Sequence, residues 1–218
     1  MKFYPDNRYE KIHRVAILLF DDVGALDFCG PLEVFTVTGR RRNTKYFEVF
    51  TVSETGMTIQ ARSALIINPH CRADECGQPD ILIIPGGRGT RKQMENRHIL
   101  EWIKRIVKST EITLSVCTGS LLLAKAGLLD GLTCTTHHLA YDLLEKTAPR
   151  ANVVRGSRFI DNGAIITSAG ISTGIDASLH VVARLIGLET ARETADYMEY
   201  PWPWNSNAST RKRIPADA

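Results

Sequence analysis

Cys117 stands between two apolar segments in the stretch ITLSVCTGSLLLAKAGLLDG, residues 112–131. The run 112–116 predicts a buried strand and 118–127 predicts a helix, so the cysteine would lie at a sharp strand-to-helix turn. Free cysteine is often a small buried packing residue. A thiol held at such a turn can also be a nucleophile. The stretch alone therefore leaves two interpretations, a packing residue and a reactive thiol.

Three features favour the reactive interpretation. Ligands of open parallel sheets bind beyond the carboxyl ends of the strands, where Cys117 would lie. A helix beginning at Thr118 would direct free N–H groups and a positive dipole end toward the sulfur, which favours a thiolate. Gly119 would allow the tight turn and leave the Thr118 amide beside the sulfur. We therefore expect an ionised thiol with backbone donors around it.

A second set of donors could come from the segment DILIIPGG. Its aliphatic run 81–84 predicts a central parallel strand that ends at Pro85-Gly86-Gly87. Amides of a glycine turn can approach a ligand closely because no side chain intervenes. We expect the Gly86 and Gly87 amides to line the site, although a glycine pair can also serve only as a turn.

The rest of the chain alternates between strand and helix patterns, which predicts an α/β fold with one doubly wound, mainly parallel sheet and helices on both faces. A helix with Pro31 in its first turn and its end near Gly39 follows the first strand. Residues 57–68 predict a hairpin. The predicted strands are 14–20, 46–53, 81–84, 112–116, 132–136 and two or three within 152–168; the other predicted helices are 95–108, 118–127, 137–146, 173–187 and 189–199.

Composition indicates one globular domain. We predict a polar leader at 1–13, a single domain at 14–204 and a polar tail at 205–218. Apolar residues make up 44% of the chain and the net charge is +3, which is too weak to indicate nucleic acid binding. Apolar runs stay below the roughly 18 residues of a membrane helix, and the N-terminus lacks a signal-peptide core. We expect no membrane partner.

The five cysteines are odd in number and irregularly spaced. This spacing predicts neither a disulfide framework nor a zinc site, and indicates reduced thiols in the cytoplasm. Apart from Cys117, we interpret the cysteines as packing or surface thiols: Cys29, Cys71, Cys76 and Cys134.

Six segments together carry a family resemblance: LLFDDVGALDFCGP, IIPGG, SVCTGSLLLAKAGLLDG, TTHH, AGISTGIDASLH and EYPWPW. They resemble the ThiJ/PfpI superfamily over about residues 15–200. The resemblance implies a flavodoxin-like or glutamine-amidotransferase-like fold with a nucleophile elbow at Cys117. In detail the segments are most similar to isonitrile hydratases and to the ligand domains of AraC-type regulators.

The resemblance implies roles for single residues. Cys117 would be the nucleophile, Asp27 an acid and base beside the sulfur, and Thr118 a catalytic donor. Gly86, Gly87 and Gly119 would line the oxyanion pocket. A carboxyl beside a thiolate would also share one proton with it, whatever the family, because two adjacent negative charges are costly. Taken without the family, Asp27 could instead be a helix-capping or first-turn acid.

Two histidines follow in the TTHH segment. His137 would help to shape the substrate pocket, although a lone histidine can also be a hydrogen-bonded structural residue. His138 stands where isonitrile hydratases tend to have an aromatic residue, which leaves the pocket's specificity open.

Two other enzyme classes lose support. PfpI-type proteases, glyoxalases and deglycases place a histidine directly after the cysteine, where this chain has Thr118. Glutamine amidotransferases need a His-x-Glu pair near the C-terminus, and residues 150–218 contain none.

The implied function is hydration of an isonitrile to an N-substituted formamide by a homodimer, without metal or organic cofactor. The alternative is a stand-alone ligand- or redox-sensing domain without the DNA-binding part of the regulators. We also expect Trp202 and Trp204 to pack back onto the domain or against a second subunit; the alternative is that they close the mouth of the active site.

Overall fold

The computed structural model describes residues 11–202. Within this range a seven-stranded sheet forms the centre of the fold, with the strand order β10-β11-β7-β6-β1-β2-β5. Two smaller two-stranded sheets, β3-β4 and β8-β9, lie beside it. The strands are β1 His13–Leu19, β2 Phe47–Ser53, β3 Ile59–Gln60, β4 Ile66–Ile67, β5 Cys71–Arg72, β6 Ile81–Ile84, β7 Ile112–Ser115, β8 Thr133–Cys134, β9 Asn152–Val153, β10 Phe159–Asp161 and β11 Ile165–Ser168.

The central strands are parallel and buried. β6 lies between β1 and β7, with Val15 opposite Ile81 and Ile83 opposite Leu114. Every residue of β6 and β7 is buried, as expected when helices cover both faces. β10 joins β11 antiparallel at one edge. The predicted mainly parallel sheet is therefore confirmed.

The helices form two groups that pack among themselves. One group contains α1, α6 and α7, and the other contains α2, α3, α4 and α5. This arrangement places helices on both faces of the sheet, as the alternating pattern predicts. The helices are α1 Ala25–Val37, α2 Thr90–Gln93, α3 Arg97–Val107, α4 Ser120–Lys125, α5 Tyr141–Thr147, α6 Thr173–Leu185 and α7 Leu188–Tyr197.

The start of α1 differs from the prediction. The helix begins at Ala25, so Pro31 lies in its interior and not in its first turn. Proline lacks the N–H that would bond to the carbonyl four residues earlier, here that of Asp27. Burial of Phe28, Val34 and Phe35 against the core favours the helix despite the lost bond.

Cys71 and Cys76 form a disulfide. Their Cα atoms are 5.6 Å apart, within the range that a disulfide spans. The prediction that both are thiols is wrong, because the edge strand β5 and the turn after it bring them together. Their pairing also removes the cysteine-based argument for a cytoplasmic location. Cys29, Cys117 and Cys134 are free.

The predicted leader and tail lie largely outside the described residues, as does Trp204. Trp202 is half-buried and packs against the core, as expected for a segment that folds back onto the domain. Within residues 11–202, every helix is too short or too polar to cross a membrane.

Candidate active site

The carboxyl ends of four adjacent strands meet at one edge of the sheet. β1 is followed by the loop that leads to Asp27, β6 by Gly86 and Gly87, β7 by Cys117 and β11 by Ile171. In an open parallel sheet this edge is where ligands bind. The predicted Cys117, Asp27 and glycine pair are thus brought together by the strand order.

Cys117 occupies a strained turn between β7 and α4. It begins a 3-10 turn, Cys117–Gly119, and has φ +58°, a left-handed conformation that is uncommon for a non-glycine residue. Its N–H donates to the Ala169 carbonyl at 2.9 Å, and its carbonyl accepts from Thr136 Oγ1 at 2.9 Å. A Cβ at Gly119 would collide with the Ile84 carbonyl oxygen. The predicted sharp strand-to-helix turn at Cys117 is confirmed, and the nucleophilic role of the cysteine stays a prediction.

Asp27 lies in the first turn of α1, and Cys117 lies at the turn after β7. The carboxyl of Asp27 and the thiol of Cys117 are hydrogen-bonded to each other. Asp27 is only 3% exposed, and this burial raises its pKa to about 6. Burial, followed by the charge of Asp27, raises the pKa of Cys117 to about 12. The pair therefore holds one shared proton near neutral pH.

The sequence led us to expect a thiolate at Cys117, whereas the raised pKa indicates a protonated thiol at neutral pH. The amides of Thr118 and Ile171 donate to the sulfur and lower the pKa of Cys117, but the loss of hydration outweighs them. The helix after the elbow is also short, with α4 spanning only Ser120–Lys125. A buried thiol beside a carboxylate stays protonated until its proton is taken by a base.

The amides of the glycine turn bond to two other residues of the site. The Gly86 N–H donates to the Asp27 carboxyl, and the Gly87 N–H donates to Thr118 Oγ1 at 3.0 Å. A Cβ at Gly86 would lie 2.5 Å from the Thr118 nitrogen, so a glycine is needed there. The turn therefore holds Asp27 and Thr118 in place. Gly87 lines the cavity beside Cys117, and the role of both glycines in an oxyanion pocket stays a prediction.

Ile171 is the donor that sequence reasoning missed. Its N–H donates to the Cys117 sulfur, and its backbone has φ +55°. It belongs to the segment AGISTG, which the resemblance singled out but to which no chemical role was given. Its contribution comes from backbone geometry, which its side-chain type does not reveal.

The Thr118 hydroxyl fixes the elbow to the neighbouring loop. It lies 2.9 Å from Thr90 Oγ1 and accepts from the Gly87 amide. Thr90 Oγ1 in turn donates to the Gly87 carbonyl at 2.7 Å. Thr118 therefore positions the site with its hydroxyl while its amide donates to the sulfur.

The two histidines lie in different cavities. His137 lines the Cys117 cavity, and its Nδ1 accepts from the Leu139 N–H at 3.3 Å, which caps the turn His138–Ala140. His138 lines a separate cavity of about 90 Å³ together with Tyr141 and Arg158. His138 is thus not among the lining residues of the Cys117 cavity, and its expected place in the substrate pocket stays a prediction.

The cavity above the Asp27–Cys117 pair has a volume of about 680 Å³, which suits a small organic molecule. Its lining combines apolar side chains, basic side chains and the reactive pair. The apolar lining residues include Leu26, Leu139, Ala140 and Ile171, and the basic ones are Arg62, Arg88 and Arg91. Among residues 11–202, no three side chains of His, Cys, Asp or Glu are placed to hold a metal ion.

Comparison with known proteins defines the class to which this fold and site belong. A sequence profile described as the DJ-1/PfpI family matches residues 13–184. This match covers most of the chain, so the protein belongs to the DJ-1/PfpI family. A ThiJ/PfpI family protein from Pseudomonas syringae has a similar structure, with a TM-score of 0.81 and 25% identity over 94% of this chain and 84% of that one.

Two relatives belong to different functional classes, an enzyme and a transcriptional regulator. An isonitrile hydratase from Pseudomonas putida is 30% identical over 187 residues, which cover 86% of this chain and 78% of the relative. An HTH-type transcriptional regulator, GbdR, from Pseudomonas aeruginosa is 26% identical over 196 residues, which cover 90% of this chain. The chain spans only about half of that regulator, 52% of its length.

Proposed function

We propose that this protein hydrates a small electrophile of the isonitrile type to an N-substituted formamide. The observation that carries the proposal is the buried pair of Asp27 and Cys117, which shares a proton at the floor of a small-molecule cavity. Such a pair supplies both a nucleophile and a proton carrier at neutral pH. The similarity to an isonitrile hydratase supports the same reaction.

In the first step, a bond forms between the Cys117 sulfur and the terminal carbon of R–N≡C. The thiol proton passes through the Asp27 carboxylate to that carbon, which gives the thioimidate R–N=CH–S–Cys. Because the thiol has a raised pKa, its proton must be removed as the new bond forms, and the hydrogen-bonded Asp27 is the base in reach.

In the second step, Asp27 takes a proton from water, whose oxygen bonds to the thioimidate carbon, and the nitrogen receives that proton. The C–S bond then breaks with its electron pair on sulfur, and the hydroxyl proton returns to the sulfur. The products are R–NH–CHO and the thiol. The amides of Thr118 and Ile171 stabilise the sulfur when it departs with negative charge.

The test is turnover of simple alkyl and aryl isonitriles, followed by formamide production. We expect Cys117→Ala to abolish turnover and Asp27→Asn to lower kcat by about a hundredfold or more, since proton transfer contributes this much. The matched control is Cys29→Ala, a half-buried thiol of α1 that does not line the cavity, and it should keep its activity. Turnover that survives Cys117→Ala would overturn the mechanism.

The second candidate function is a stand-alone ligand or redox sensor, which the similarity to a transcriptional regulator favours. In that case isonitriles would not turn over, and peroxide would oxidise Cys117 selectively. The raised pKa of Cys117 opposes rapid oxidation, because the thiolate is the form that reacts. Peptide mapping after mild peroxide treatment, compared with Cys134, distinguishes the two candidates.

We also propose that the protein is a homodimer. The measurement is sedimentation equilibrium, which separates a particle of 24.3 kDa from one of twice that mass.

A further inference from the structure

We propose that the substrate of this cavity carries an anionic group, a carboxylate or a phosphate, that is bound by Arg62, Arg88 and Arg91. The inference rests on the proposed function, since it names the class of substrate that would reach Cys117. It follows from three observations about the cavity: its charge, the anchoring of its basic residues and the distribution of its apolar lining.

The first observation is the charge of the lining. Three guanidinium groups line the cavity, whereas Asp27 is the one carboxylic acid among its described lining residues. Asp27 is buried and bonded to Cys117 and the Gly86 amide, so it does not pair with an arginine. The cavity therefore has an excess of positive charge at neutral pH.

The three guanidinium groups also have no carboxylate to neutralise them. Within residues 11–202, none of them makes a side-chain hydrogen bond or an ion pair. Arg42 and Arg184, by contrast, each bind a carboxylate elsewhere, with Arg42 Nε 2.7 Å from Glu193 and Arg184 Nη1 2.9 Å from Asp161. The five donors of each lining guanidinium are therefore available to a ligand.

The second observation is that Arg62 is held in place by its backbone. It lies between β3 and β4, and its N–H donates to the Val23 carbonyl at 2.9 Å. The same hairpin is attached by Gln60, whose carbonyl accepts from Asp22 N–H at 2.8 Å and whose N–H donates to Asp21 Oδ1 at 3.0 Å. The hairpin is thus fixed beside the loop that leads to Asp27.

Arg88 and Arg91 are anchored in the same way. They flank Thr90, whose hydroxyl bonds to the Gly87 carbonyl and lies 2.9 Å from Thr118 Oγ1. Thr118 follows the nucleophile directly, so the backbone of both arginines is tied to the elbow. The backbones of these three exposed arginines are thus fixed around one cavity, which concentrates their positive charge there.

The third observation is that other elements supply an apolar part of the lining. Leu26 comes from α1, Leu139 from the turn after His137, and Ile171 from the loop after β11. These side chains are 44%, 80% and 50% exposed, respectively. A ligand with an apolar portion and an anionic end matches both kinds of lining, with its reactive carbon above Cys117.

The test uses alkylation of Cys117 and does not require isonitrile turnover. Iodoacetate and iodoacetamide deliver the same carbon to the sulfur but differ in charge. We compare their second-order rate constants at Cys117 by peptide mass spectrometry, and expect the iodoacetate-to-iodoacetamide ratio to fall at least about fivefold in the variant Arg62→Gln/Arg88→Gln/Arg91→Gln. High salt should lower the wild-type ratio as well.

The control is Arg192→Gln. Arg192 is an exposed arginine of α7 that lines a different cavity, so its variant should keep the wild-type ratio. If the triple variant does not fold, the three single variants serve instead, each lowering the ratio by about twofold. A wild-type ratio equal to that of the arginine variants overturns the proposal.

Competition experiments identify the anion. Benzoate and phenyl phosphate should each slow alkylation of Cys117 at concentrations at which benzamide does not, and the stronger of the two indicates a carboxylate or a phosphate substrate. Equal effects of all three compounds would contradict the anion site. Because the readout is thiol alkylation, a failure here is distinguishable from an absence of isonitrile hydration.

Discussion

At the residue scale, the chemistry of the site is set by two buried groups that share a proton. Cys117 and Asp27 are 8% and 3% exposed, and burial is the largest cause of the raised pKa of each. The Gly86 amide lowers the pKa of Asp27, and the amides of Thr118 and Ile171 lower that of Cys117. In both cases the effect of burial is larger. The thiol is therefore reactive only when the carboxylate takes its proton.

The pKa of Cys117 tests this account directly. In Asp27→Asn the neighbouring negative charge is lost, so we expect the pKa of the thiol to fall below its wild-type value of about 12. Burial should keep it above that of an ordinary cysteine. The measurement is a titration of thiolate absorbance, with Cys117→Ala as the blank for Cys29 and Cys134. An unchanged or higher pKa in Asp27→Asn would contradict the coupling.

The raised pKa of Asp27 also makes a prediction about stability. A carboxyl whose pKa is higher in the folded state contributes stability below its unfolded pKa of about 4, and loses this contribution as pH rises through about 6. Replacing Asp27 by Asn removes the cost of the buried charge. We expect Asp27→Asn to be more stable than the wild type at pH 8 by on the order of 2 kcal/mol.

Chemical denaturation at two pH values checks this difference. The gain should shrink toward zero below about pH 3, where the wild-type carboxyl is protonated in both the folded and the unfolded state. Asp142→Asn serves as the control, because Asp142 is exposed on α5. If the gain in the free energy of unfolding of Asp27→Asn does not change with pH, the gain comes from packing and not from the removal of a charge.

Sequence reasoning could name these residues but not their protonation. Cys117 and Asp27 were indicated by the strand-to-helix turn and by the family resemblance. Their pKa values depend on how much water the folded chain removes, which no local pattern encodes. The same limit applies to Ile171, which acts through its backbone amide.

At the scale of elements, the strand ends decide which groups meet. The positions of β6 and β7 were predictable, because buried parallel strands are nearly continuous apolar runs. The glycines that follow these runs indicated where the two strands end. The short helix α2 and the true start of α1 were not predicted, since four-residue helices and an interior Pro31 leave no clear periodicity. The arginines of the cavity were missed for the same reason, because they lie on short irregular segments.

Gly119 provides a test of the elbow at this scale. Its φ is −58°, so alanine would be conformationally acceptable, but a Cβ would collide with the Ile84 carbonyl oxygen. We expect Gly119→Ala to lower the free energy of unfolding by about 3 kcal/mol or more, because the backbone of β6 cannot move away easily.

The matched comparison is Gly127→Ala. Gly127 ends the same helical segment with φ +73° and has nothing within 4 Å of the added Cβ. Its variant should cost only about 1 kcal/mol, from the left-handed backbone alone. Denaturant titration of both variants gives the comparison, and equal losses would show that the contact with Ile84 does not determine the need for glycine.

At the scale of the whole molecule, a buried polar cluster joins distant parts of the chain. Asp176 in α6 accepts from Arg158 before β10 and from Tyr200 Oη at 3.0 Å. Asp176 is buried, and burial raises the pKa of Tyr200 to about 12. The cluster therefore fixes the segment after α7 and the segment before β10 to α6.

Removal of this cluster should affect global stability. We expect Asp176→Asn to cost about 2–3 kcal/mol, because it leaves the Arg158 charge without its partner. Tyr200→Phe should cost about 1 kcal/mol, the value of one hydrogen bond. Thermal or denaturant unfolding measures both, and the control is Tyr197→Phe, an exposed tyrosine of α7 for which we expect no change.

The overall architecture was predictable, whereas its cross-links were not. Alternation of strands and helices predicted the parallel sheet, but no local pattern indicates the hydrogen bonds of Asp176 in α6. Its partners Arg158 and Tyr200 are 18 and 24 residues away. The Cys71–Cys76 disulfide was missed because sequence spacing does not reveal whether a turn brings two sulfurs together.

The separate origins of Asp27, Cys117 and Ile171 have a practical consequence. Each of them follows a different strand, so slight loosening of any one strand end would hydrate the sulfur and release it from the carboxylate. Its acidity would then return toward that of a cysteine in a peptide, and thiol reagents would modify it faster. The rate at which a thiol reagent modifies this one sulfur therefore reports local opening at this edge of the sheet.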